Sequence, residues 1–591
     1  MRRLVRAASF QACFPGVESF MYTASSAFLD ALTEAGVTHL FVNFGSDHPA
    51  MVEAIAEARA TGRTIPTVIT CPNEMVALSA AHGFYNVTGV AQAVIVHVEC
   101  GTQALAGAVH NADKGRIPVL IFAGASPFTQ EGELKGSRNE FIQWIQDVHD
   151  QRGLVRGYMR YDNELRTGQN VRQLTHRALR FAYSAPPGPV YLMGAREVME
   201  EAVTPGAGGG GDWSPIEPAA LSPAAATMIA EALAKAERPL VVTSYAGRDR
   251  AAFPALVELC ETLGVGVLES VPSAANFPHD NPLYIGNQWN EPRQNAALAE
   301  ADCVLVVDSD VPWIPTVSRP AKDAVIFHID NDPLKRQMPL WDIGATHSYG
   351  VSAALALNQI TEAAKALSLN AGRVNARKQH YGALHHARAE RLATAAERPT
   401  DGSITSDYLL ATLRRLTDDK VIYANEGISN YQPAFDQLAP SRPGSMFASG
   451  GGSLGWNGGA AVGMKLARPD ATIVALTGDG SYLFSVPSSV HWMARRYEAP
   501  ILQIVFNNGG WKSPKLSTLA VHPSGFAAAA ANIDVGFEPA PDYGQIAAAS
   551  GGAWCARLER ADEVEAALKE ALRMVREEGR SAVLDVKIPN L

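Results

Sequence analysis

Short apolar runs alternate with longer amphipathic stretches along most of the chain. In chain order the runs are THLFVNF at 38–44, TVIT at 67–70, QAVIVHV at 92–98, PVLIFAG at 118–124, PVYLMG at 189–194, PLVVTS at 239–244, CVLVVDS at 303–309, AVIFHID at 324–330, KVIYAN at 420–425, ATIVALTG at 471–478, ILQIVFNN at 501–508 and AVLDVKI at 582–588. Such runs are typical of parallel strands buried on both faces, and the stretches between them are long enough for helices. The pattern therefore predicts an α/β fold made of three doubly wound domains with parallel sheets.

Two segments interrupt this alternation and divide the chain. TPGAGGGGDW at 204–213 is too rich in glycine to form a helix or strand, and residues 366–402 are rich in Ala, Arg and His. We expect the second segment to contain a solvated helix followed by a loop. The resulting prediction is an N-terminal extension over 1–21, an N-terminal domain over 22–203, a central domain over 214–365, a linker over 366–402 and a C-terminal domain over 403–591.

Composition narrows the class of protein. Hydrophobic residues make up 47% of the 591 positions, and 60 acidic residues outnumber 50 basic ones, which gives a net charge of −10. This balance argues against nucleic-acid binding, and no apolar run reaches the ~20 residues that a membrane helix needs. The six dispersed cysteines, with no CxxC pair, fit reduced thiols. We therefore expect a cytoplasmic enzyme that has neither nucleic acid nor membrane as a partner.

The most specific signal lies in the C-terminal domain. LTGDGSYLFSV at 476–486 and VFNNGGW at 505–511 each place polar residues directly after a predicted strand, at the edge where parallel sheets bind ligands. Asp479 offers a carboxylate and Asn508 an amide oxygen, which suit Mg²⁺ when diphosphate oxygens complete its coordination. The glycines let the backbone approach a phosphate closely. Each motif alone could equally be an ordinary turn.

Together the two motifs resemble the thiamine-diphosphate (ThDP) binding motif of the acetolactate synthase, pyruvate decarboxylase and benzoylformate decarboxylase family. The resemblance covers nearly the whole chain and is closest overall to acetolactate synthases. It implies a pyrimidine-binding (PYR) domain, a central domain and a diphosphate-binding (PP) domain. It also implies that Asp479, Asn508 and the carbonyl of Gly510 bind Mg²⁺. The expected cofactor contacts are Asn508, Gly480 and Ser481, together with Gly427, Ser429 and Asn430 of a second loop.

The same resemblance assigns a catalytic, cofactor-contacting role to Glu74. In TVITCPNEMVALSAAHGFYNVTG at 67–89, Glu74 follows a predicted strand and opens a predicted helix. In the family this glutamate contacts the pyrimidine of ThDP and promotes deprotonation of the thiazolium C2. The alternative is an acid that merely begins a helix. Because the family's glutamate serves a cofactor bound by the other subunit, the resemblance implies at least a homodimer with its active site at the subunit interface, and a homotetramer is also open.

Three further residues correspond to pocket positions of the family. Ser46 lies in NFGSDHP after the first predicted strand, and His97 lies in VIVHVECGTQA after the third. In benzoylformate decarboxylase-like members a serine and a histidine there handle the substrate carboxylate and protons, so both are candidate catalytic residues. Leu454 takes the place of the apolar residue that holds ThDP in its V shape. The alternatives are a helix cap for Ser46 and core packing for the other two. Further pocket candidates are Asp47, His48, His110, Gln143 and the pair His149–Asp150.

The resemblance implies a ThDP- and Mg²⁺-dependent decarboxylase or carboligase that acts on a small-molecule 2-oxo acid. CO₂ leaves, and the enamine that remains is either protonated or added to a second carbonyl compound. FAD is not expected, because the arginine-rich segment of FAD-containing acetolactate synthases is absent from the central domain. The alternatives are a 2-hydroxyacyl-CoA or oxalyl-CoA lyase and a catalytically silent ThDP-binding homologue.

Overall fold

The computed structural model describes residues 21–206, 213–530 and 533–589. The proposed N-terminal extension, except for Met21, and most of the glycine-rich linker therefore lie outside the described residues. The described residues form three six-stranded sheets in which every pairing between neighbouring strands is parallel. This confirms the predicted fold class.

The N-terminal sheet has the strand order β2-β1-β3-β4-β6-β5. Its strands are β1 (His39–Val42), β2 (Thr67–Thr70), β3 (Gln92–Val96), β4 (Val119–Ala125), β5 (Tyr161–Leu165) and β6 (Pro189–Ala195). The accompanying helices are α1 (Ala24–Glu34), α2 (Pro49–Thr61), α3 (Glu74–Thr88), α4 (Val98–Ala104), α5 (Gly107–Lys114), α6 (Ile142–Ile145), α7 (Val171–Tyr183) and α8 (Arg196–Met199).

The central sheet has the order β12-β11-β10-β7-β8-β9. Its strands are β7 (Pro239–Thr243), β8 (Gly266–Ser270), β9 (Tyr284–Gln288), β10 (Cys303–Val307), β11 (Val325–Asp330) and β12 (His347–Gly350). Its helices are α9 (Pro223–Lys235), α10 (Ala252–Leu263), α11 (Ala296–Glu300) and α12 (Ala353–Lys365), followed by the long α13 (Ala371–Ala395).

The C-terminal sheet has the order β14-β13-β15-β16-β18-β17. Its strands are β13 (Val421–Glu426), β14 (Met446–Phe447), β15 (Thr472–Gly478), β16 (Leu502–Asn507), β17 (Trp554–Leu558) and β18 (Ala582–Lys587). The helices in this part of the chain are α14 (Ser406–Leu416), α15 (Tyr431–Leu438), α16 (Trp456–Ala467), α17 (Asp479–Phe484), α18 (Pro487–Arg496), α19 (Lys512–Val521), α20 (Phe526–Ala529), α21 (Tyr543–Gly551) and α22 (Val564–Arg576). No helix in the described part of the chain has the length and hydropathy needed to cross a membrane.

The first and third sheets share one strand order. In the N-terminal sheet β2 and β3 lie on opposite sides of β1, and in the C-terminal sheet β14 and β15 lie on opposite sides of β13. The chain therefore leaves β1 and its neighbour β3 in opposite directions, and it leaves β13 and its neighbour β15 in the same manner. Connections that diverge in this way lie on opposite faces of the sheet, which opens a crevice at the carboxyl ends of the two strands. Each of the two domains therefore has a crevice in the same topological position.

Contacts along the chain separate it into two compact units. The first contains the N-terminal residues through Ile216 together with Gly450–Ala467, and the second contains Glu217–Ser449 and the chain from Arg468 onward. The helix α16 thus belongs to the first unit, where it packs on α3. A Cβ atom on Gly463 would lie only 1.9 Å from the carbonyl oxygen of Ala80. Small residues therefore allow the two helix backbones to approach each other closely.

The helix α13 is more tightly packed than the solvated linker helix that the sequence predicts. Arg377, Tyr381 and Arg388 on this helix are buried. The Arg377 guanidinium donates to the carbonyl of Leu263 at 2.8 Å, and the Tyr381 hydroxyl donates to that of Pro239 at 2.7 Å. These side chains join α13 to the central domain through carbonyl groups that a pattern of apolar residues cannot reveal.

We predict that Gly463→Ala lowers the free energy of unfolding by about 1–3 kcal/mol, because the new Cβ would meet backbone atoms of α3 rather than a flexible side chain. Gly382→Ala in α13 is the matched control, since a Cβ there has nothing within 4 Å. The control is expected to raise stability by about 0.5–1 kcal/mol. Scanning calorimetry compares the two midpoints, and shifts of the same sign would contradict the close helix packing.

Candidate active site

The crevice of the N-terminal sheet contains a paired carboxylate and imidazole. Asp47 follows β1 and His97 follows β3, the strands between which the crevice opens. Nδ1 of His97 donates to Oδ1 of Asp47 at 2.5 Å, and Nε2 of His97 lies 3.0 Å from Oε1 of Gln146. The side chain of Asp47 is 1% exposed and that of His97 is 21% exposed. The ring of His97 is therefore held at both nitrogens while part of it stays accessible.

This pairing shifts two pKa values in opposite directions. Burial alone would raise the pKa of Asp47, but the charges and hydrogen bonds of His48 and His97 outweigh it and hold that pKa below its usual range. The hydrogen bond to Asp47 raises the pKa of His97 against the effect of burial, and the carboxylates of Asp47 and Glu74 add to the rise. A raised pKa favours the protonated imidazole, which is the form that can serve as a general acid.

Glu74 stands at the first position of α3, where the sequence analysis places it. The helix is capped by Asn73, whose side-chain oxygen accepts the N–H of Val76 at 3.1 Å. Oε1 of Glu74 lies near Gly101, where an added Cβ would come within 3.4 Å of it. The charge of Glu74 also acts on His97. A carboxylate and an imidazole with a raised pKa thus occupy the same region of the domain.

Ser46 and Leu454 lie in turns and are half-buried. Ser46 is in the turn between β1 and α2, and α2 begins at Pro49 with His48 as its N-cap residue. The structure therefore does not give Ser46 the helix-capping role that was its alternative. Leu454 is in the turn before α16, within the first unit. The contacts of both residues with substrate or cofactor remain predictions.

Of the other sequence candidates, only Asp47 and His48 join this cluster. The rest are engaged elsewhere or exposed: Nε2 of His110 accepts the N–H of Gly452, Oε1 of Gln143 accepts the N–H of Asn139, and His149 and Asp150 are exposed. The sequence analysis missed Gln146, which contacts His97. The segment FIQWIQDVHD at 141–150 contains two glutamines at helical spacing, and no pattern in it indicates which one faces the crevice.

The C-terminal domain gathers its candidate metal ligands around one backbone N–H. Oδ1 of buried Asp479 accepts the N–H of Gly480 at 2.8 Å, and its Oδ2 accepts those of Gly509 and Gly510 at 2.8 and 2.9 Å. Oδ1 of Asn508 accepts the same Gly510 N–H at 3.3 Å. The two side chains leave the ends of β15 and β16, yet their oxygens converge on one loop.

This loop fits a hard cation, because it offers carboxylate, amide and carbonyl oxygens. A Cβ on Gly510 would lie 2.2 Å from the carbonyl oxygen of Val535, and one on Gly480 would lie 2.9 Å from the ring of Trp511. Burial raises the pKa of Asp479 against its backbone hydrogen bonds, so a cation beside it would relieve the cost of its charge. No group of three or more His, Cys, Asp or Glu side chains among the described residues could hold a metal. A metal here would therefore rely on amide and carbonyl ligands as well.

The predicted diphosphate contacts occupy two positions around this loop. Gly427 is buried directly after β13, Ser429 is exposed, and Ser481 is buried in α17. Oδ1 of Asn430 accepts the hydroxyl of Ser406 at 2.6 Å, so this side chain is already used within the domain. Ser429 is left as the exposed polar side chain of the second loop. Contact of these residues with a diphosphate stays a prediction.

The central sheet also has a crevice, between β7 and β10, but side chains of the domain fill it. The Tyr245 hydroxyl bonds Asp310 at 3.1 Å and Asp330 at 2.5 Å. The ammonium of Lys335, whose side chain is 1% exposed, bonds the same two carboxylates at 2.9 and 2.5 Å. Phosphate groups would meet two carboxylates at this position.

Three family models match the chain in the order of its domains. They are described as the N-terminal TPP binding domain, the central domain and the C-terminal TPP binding domain of a thiamine pyrophosphate enzyme, and they match residues 22–154, 226–338 and 427–586. The chain belongs to the thiamine diphosphate-dependent enzyme family. The family resemblance read from GDG, NNGG and Glu74 is thereby confirmed, and the chain contains ThDP-binding domains.

Individual relatives are distant but similar over most of their length. An acetolactate synthase of Arthrospira platensis is 23% identical over 507 residues, 82% of each chain. A benzoylformate decarboxylase of Pseudomonas aeruginosa is 24% identical over 514 residues, 83% of this chain and 86% of the relative. The structure of a ThDP-dependent 4-hydroxybenzoylformate decarboxylase of Rhodococcus jostii RHA1 matches with a TM-score of 0.77 and 21% identity, covering 96% of this chain and 99% of that one. The protein is thus a ThDP-dependent enzyme of acetolactate synthase or decarboxylase type.

Asp479→Ala is predicted to weaken ThDP binding in the presence of Mg²⁺ at least about tenfold, because it removes the only carboxylate of the proposed metal loop. Asp470→Ala is the control, since Asp470 lies before β15 and pairs with Arg468 on the surface. Isothermal titration calorimetry with ThDP and Mg²⁺ measures both variants. Equal affinity of Asp479→Ala and the unmodified protein would contradict the metal loop.

Proposed function

We propose that this protein is a ThDP- and Mg²⁺-dependent decarboxylase of 2-oxo acids that delivers a proton to its product. Condensation with a second carbonyl compound, as in acetolactate synthases, is the alternative fate. One observation carries the proposal: His97 donates to Asp47 at the carboxyl edge of the N-terminal sheet, and this hydrogen bond and the charge of Glu74 both raise its pKa. A protonated imidazole can donate its proton to the product, and this favours protonation of the product over carbon–carbon bond formation.

The cofactor residues support this chemistry from both ThDP-binding domains. When bound, ThDP supplies a nucleophilic carbon and accepts the electron pair that remains as CO₂ leaves. Glu74 would hold a proton against the pyrimidine ring, and Leu454 would support the bent cofactor. Asp479, Asn508 and the Gly510 carbonyl would hold Mg²⁺, and Gly427, Ser429, Asn430, Gly480 and Ser481 would surround the diphosphate.

The N-terminal crevice also favours a class of substrate. The imidazolium of His97 is a positive charge suited to the carboxylate of a 2-oxo acid, and the Ser46 hydroxyl adds a hydrogen-bonding group on the neighbouring turn. Phe44, directly before this turn, leaves 36% of its surface exposed. An aromatic side chain beside a carboxylate-binding pair favours an aryl or longer-chain 2-oxo acid. The relatives named benzoylformate and 4-hydroxybenzoylformate decarboxylase support the same choice.

An acyl-CoA lyase is the weaker alternative. Such an enzyme has to bind the nucleotide of CoA, and the crevice of the central sheet is filled by Tyr245 and Lys335. The intact set of Glu74, Asp479 and Asn508 also disfavours a catalytically silent homologue, because binding alone does not need the proton-relay carboxylate of Glu74. Following the family resemblance, we propose a homodimer in which Glu74 of one subunit serves the cofactor of the other.

The test supplies ThDP and Mg²⁺ and measures CO₂ release and products by NMR with benzoylformate, phenylpyruvate, 2-oxobutyrate and pyruvate. We expect an aldehyde from an aryl or longer-chain acid. Acetolactate from pyruvate would instead establish the synthase alternative. No turnover of any of the four, with ThDP bound, would contradict the proposed function.

Glu74→Gln is expected to retain ThDP while slowing the exchange of the cofactor's C2 hydrogen with deuterium by about two orders of magnitude or more, because the amide cannot exchange a proton as the carboxylate does. Glu53→Gln on the exposed face of α2 serves as the control. Quenched-flow NMR of bound ThDP measures the exchange. Exchange as fast in Glu74→Gln as in the control would remove Glu74 from the catalytic set.

A further inference from the structure

We infer that Asp47 is the positioning residue of this active site: it holds His97 so that Nε2, and not Nδ1, carries the proton that is gained and lost. The inference deepens the proposed function and rests on it for the use to which that proton is put. Asp47 itself is buried and acts only through the imidazole.

Both oxygens of Asp47 are committed to the residues that follow β3. Oδ1 accepts the Nδ1–H of His97 at 2.5 Å, and Oδ2 accepts the backbone N–H of Val98 at 3.1 Å. With two oxygens bound to adjacent residues, the carboxylate cannot rotate away from the ring. The proton on Nδ1 therefore stays in place, and exchange is left to Nε2.

Local backbone features make room for this contact. A Cβ on Gly45 would lie 2.0 Å from Nδ1 of His97, and one on Gly124 would lie 1.7 Å from Oδ2 of Asp47. Val98, which donates to the same carboxylate, has a φ of 22°, a region that β-branched residues avoid. Such strain is retained where the surrounding structure imposes it. Two glycines and one strained residue thus lie against the carboxylate of Asp47 and the imidazole that it bonds.

Gln146 completes the arrangement at the other nitrogen. This residue is 3% exposed and turns Oε1 toward Nε2 of His97, which suits a ring that carries a proton there. Its amide nitrogen is buried without a hydrogen-bond partner. Rotation of the amide would present that N–H to the lone pair of a neutral Nε2. Gln146 can therefore bond His97 in both protonation states without disturbing Asp47.

Two carboxylates act on His97, Asp47 from the segment after β1 and Glu74 from α3, and the neutral Gln146 bonds its Nε2. Nδ1 of His48 lies 3.0 Å from Oδ1 of Asp47, the oxygen that also bonds His97. The two carboxylates favour the imidazolium. When His97 acts as an acid, the Nε2–H bond breaks, its electron pair stays on Nε2, and the proton forms a new bond to the substrate. The Nδ1–H bond to Asp47 persists throughout.

The first experiment measures the tautomer of His97 in the unmodified, cofactor-free protein. Histidine labelled with ¹⁵N is titrated by long-range ¹H–¹⁵N NMR, and the His97 signals are assigned by their loss in His97→Gln. At pH values above its pKa, we expect His97 to be the Nδ1–H tautomer, because Asp47 retains that proton. The Nε2–H tautomer would overturn the inference. This measurement needs neither substrate nor a variant of Asp47.

The second experiment removes the charge of Asp47 and nearly preserves its shape. In Asp47→Asn the pKa of His97 is expected to fall by about 1 unit or more, since a close negative charge is lost. The matched control is Glu34→Gln, which removes a carboxylate 3.1 Å from Nε2 of His176 on the same domain. The control is expected to leave the His97 titration unchanged. An unchanged His97 pKa in folded Asp47→Asn would overturn the inference. If that variant does not fold, the tautomer of His97 in the unmodified protein tests the inference instead.

Activity separates this inference from the proposed function. On a turned-over 2-oxo acid, Asp47→Asn should lower kcat about 10- to 100-fold and move the basic limb of the pH profile to lower pH. Added to His97→Gln, it should cause no further loss, because Asp47 acts through His97. A further loss of tenfold would overturn the positioning role. If no 2-oxo acid is turned over but His97 has the expected tautomer and pKa shift, the proposed function fails and the positioning role stands.

Discussion

The chemistry of this chain depends on one geometrical constraint: parallel strands deliver the segments that follow them to a single edge of the sheet. Where the strand order reverses beside β1 or β13, these segments diverge and leave a crevice. Asp47 and His97 meet in one such place although 50 positions separate them in the chain. In the C-terminal domain, Asp479 and Gly510 meet across 31 positions because they follow the adjacent parallel strands β15 and β16. The strand order thus determines which distant residues can act together.

The N-terminal and C-terminal domains each bury an aspartate, and the groups around the two carboxylates differ. Asp479 is surrounded by backbone N–H groups, which offset only part of the cost of burial, so its pKa remains raised. Asp47 faces imidazoles that can carry a full positive charge, so its pKa is lowered. The first environment leaves a carboxylate whose charge a cation would stabilise. The second lowers the pKa of Asp47 and raises that of His97. Backbone N–H groups carry partial charges and imidazoles can carry a full charge, so the pKa values of Asp479 and Asp47 shift in opposite directions.

The sequence patterns found buried strands well and edge strands poorly. Of the strands absent from the sequence analysis, β5, β9, β12, β14 and β17 all lie at sheet edges, where one side lacks a neighbour and the apolar run is short or interrupted. The interior strand β8 was missed for another reason: it contains buried Glu269, which is bonded by His279 and Asn276. Motifs located Glu74 and Asp479 because local spacing defines those loops. The contact of Gln146 with His97 arises only from folding across the crevice, so no local pattern could show it.

The central domain shows why strand order alone does not assign a function. The strand order of its sheet also reverses, between β7 and β10, and acidic side chains lie at the carboxyl ends of its strands. Here, however, the ammonium of Lys335 lies between Asp310 and Asp330 and satisfies them internally. In the N-terminal crevice the corresponding partner of Asp47 is an imidazole that is still partly accessible. The central crevice thus contains an ion pair with a buried lysine, whereas the N-terminal crevice contains a titratable ring that is partly exposed.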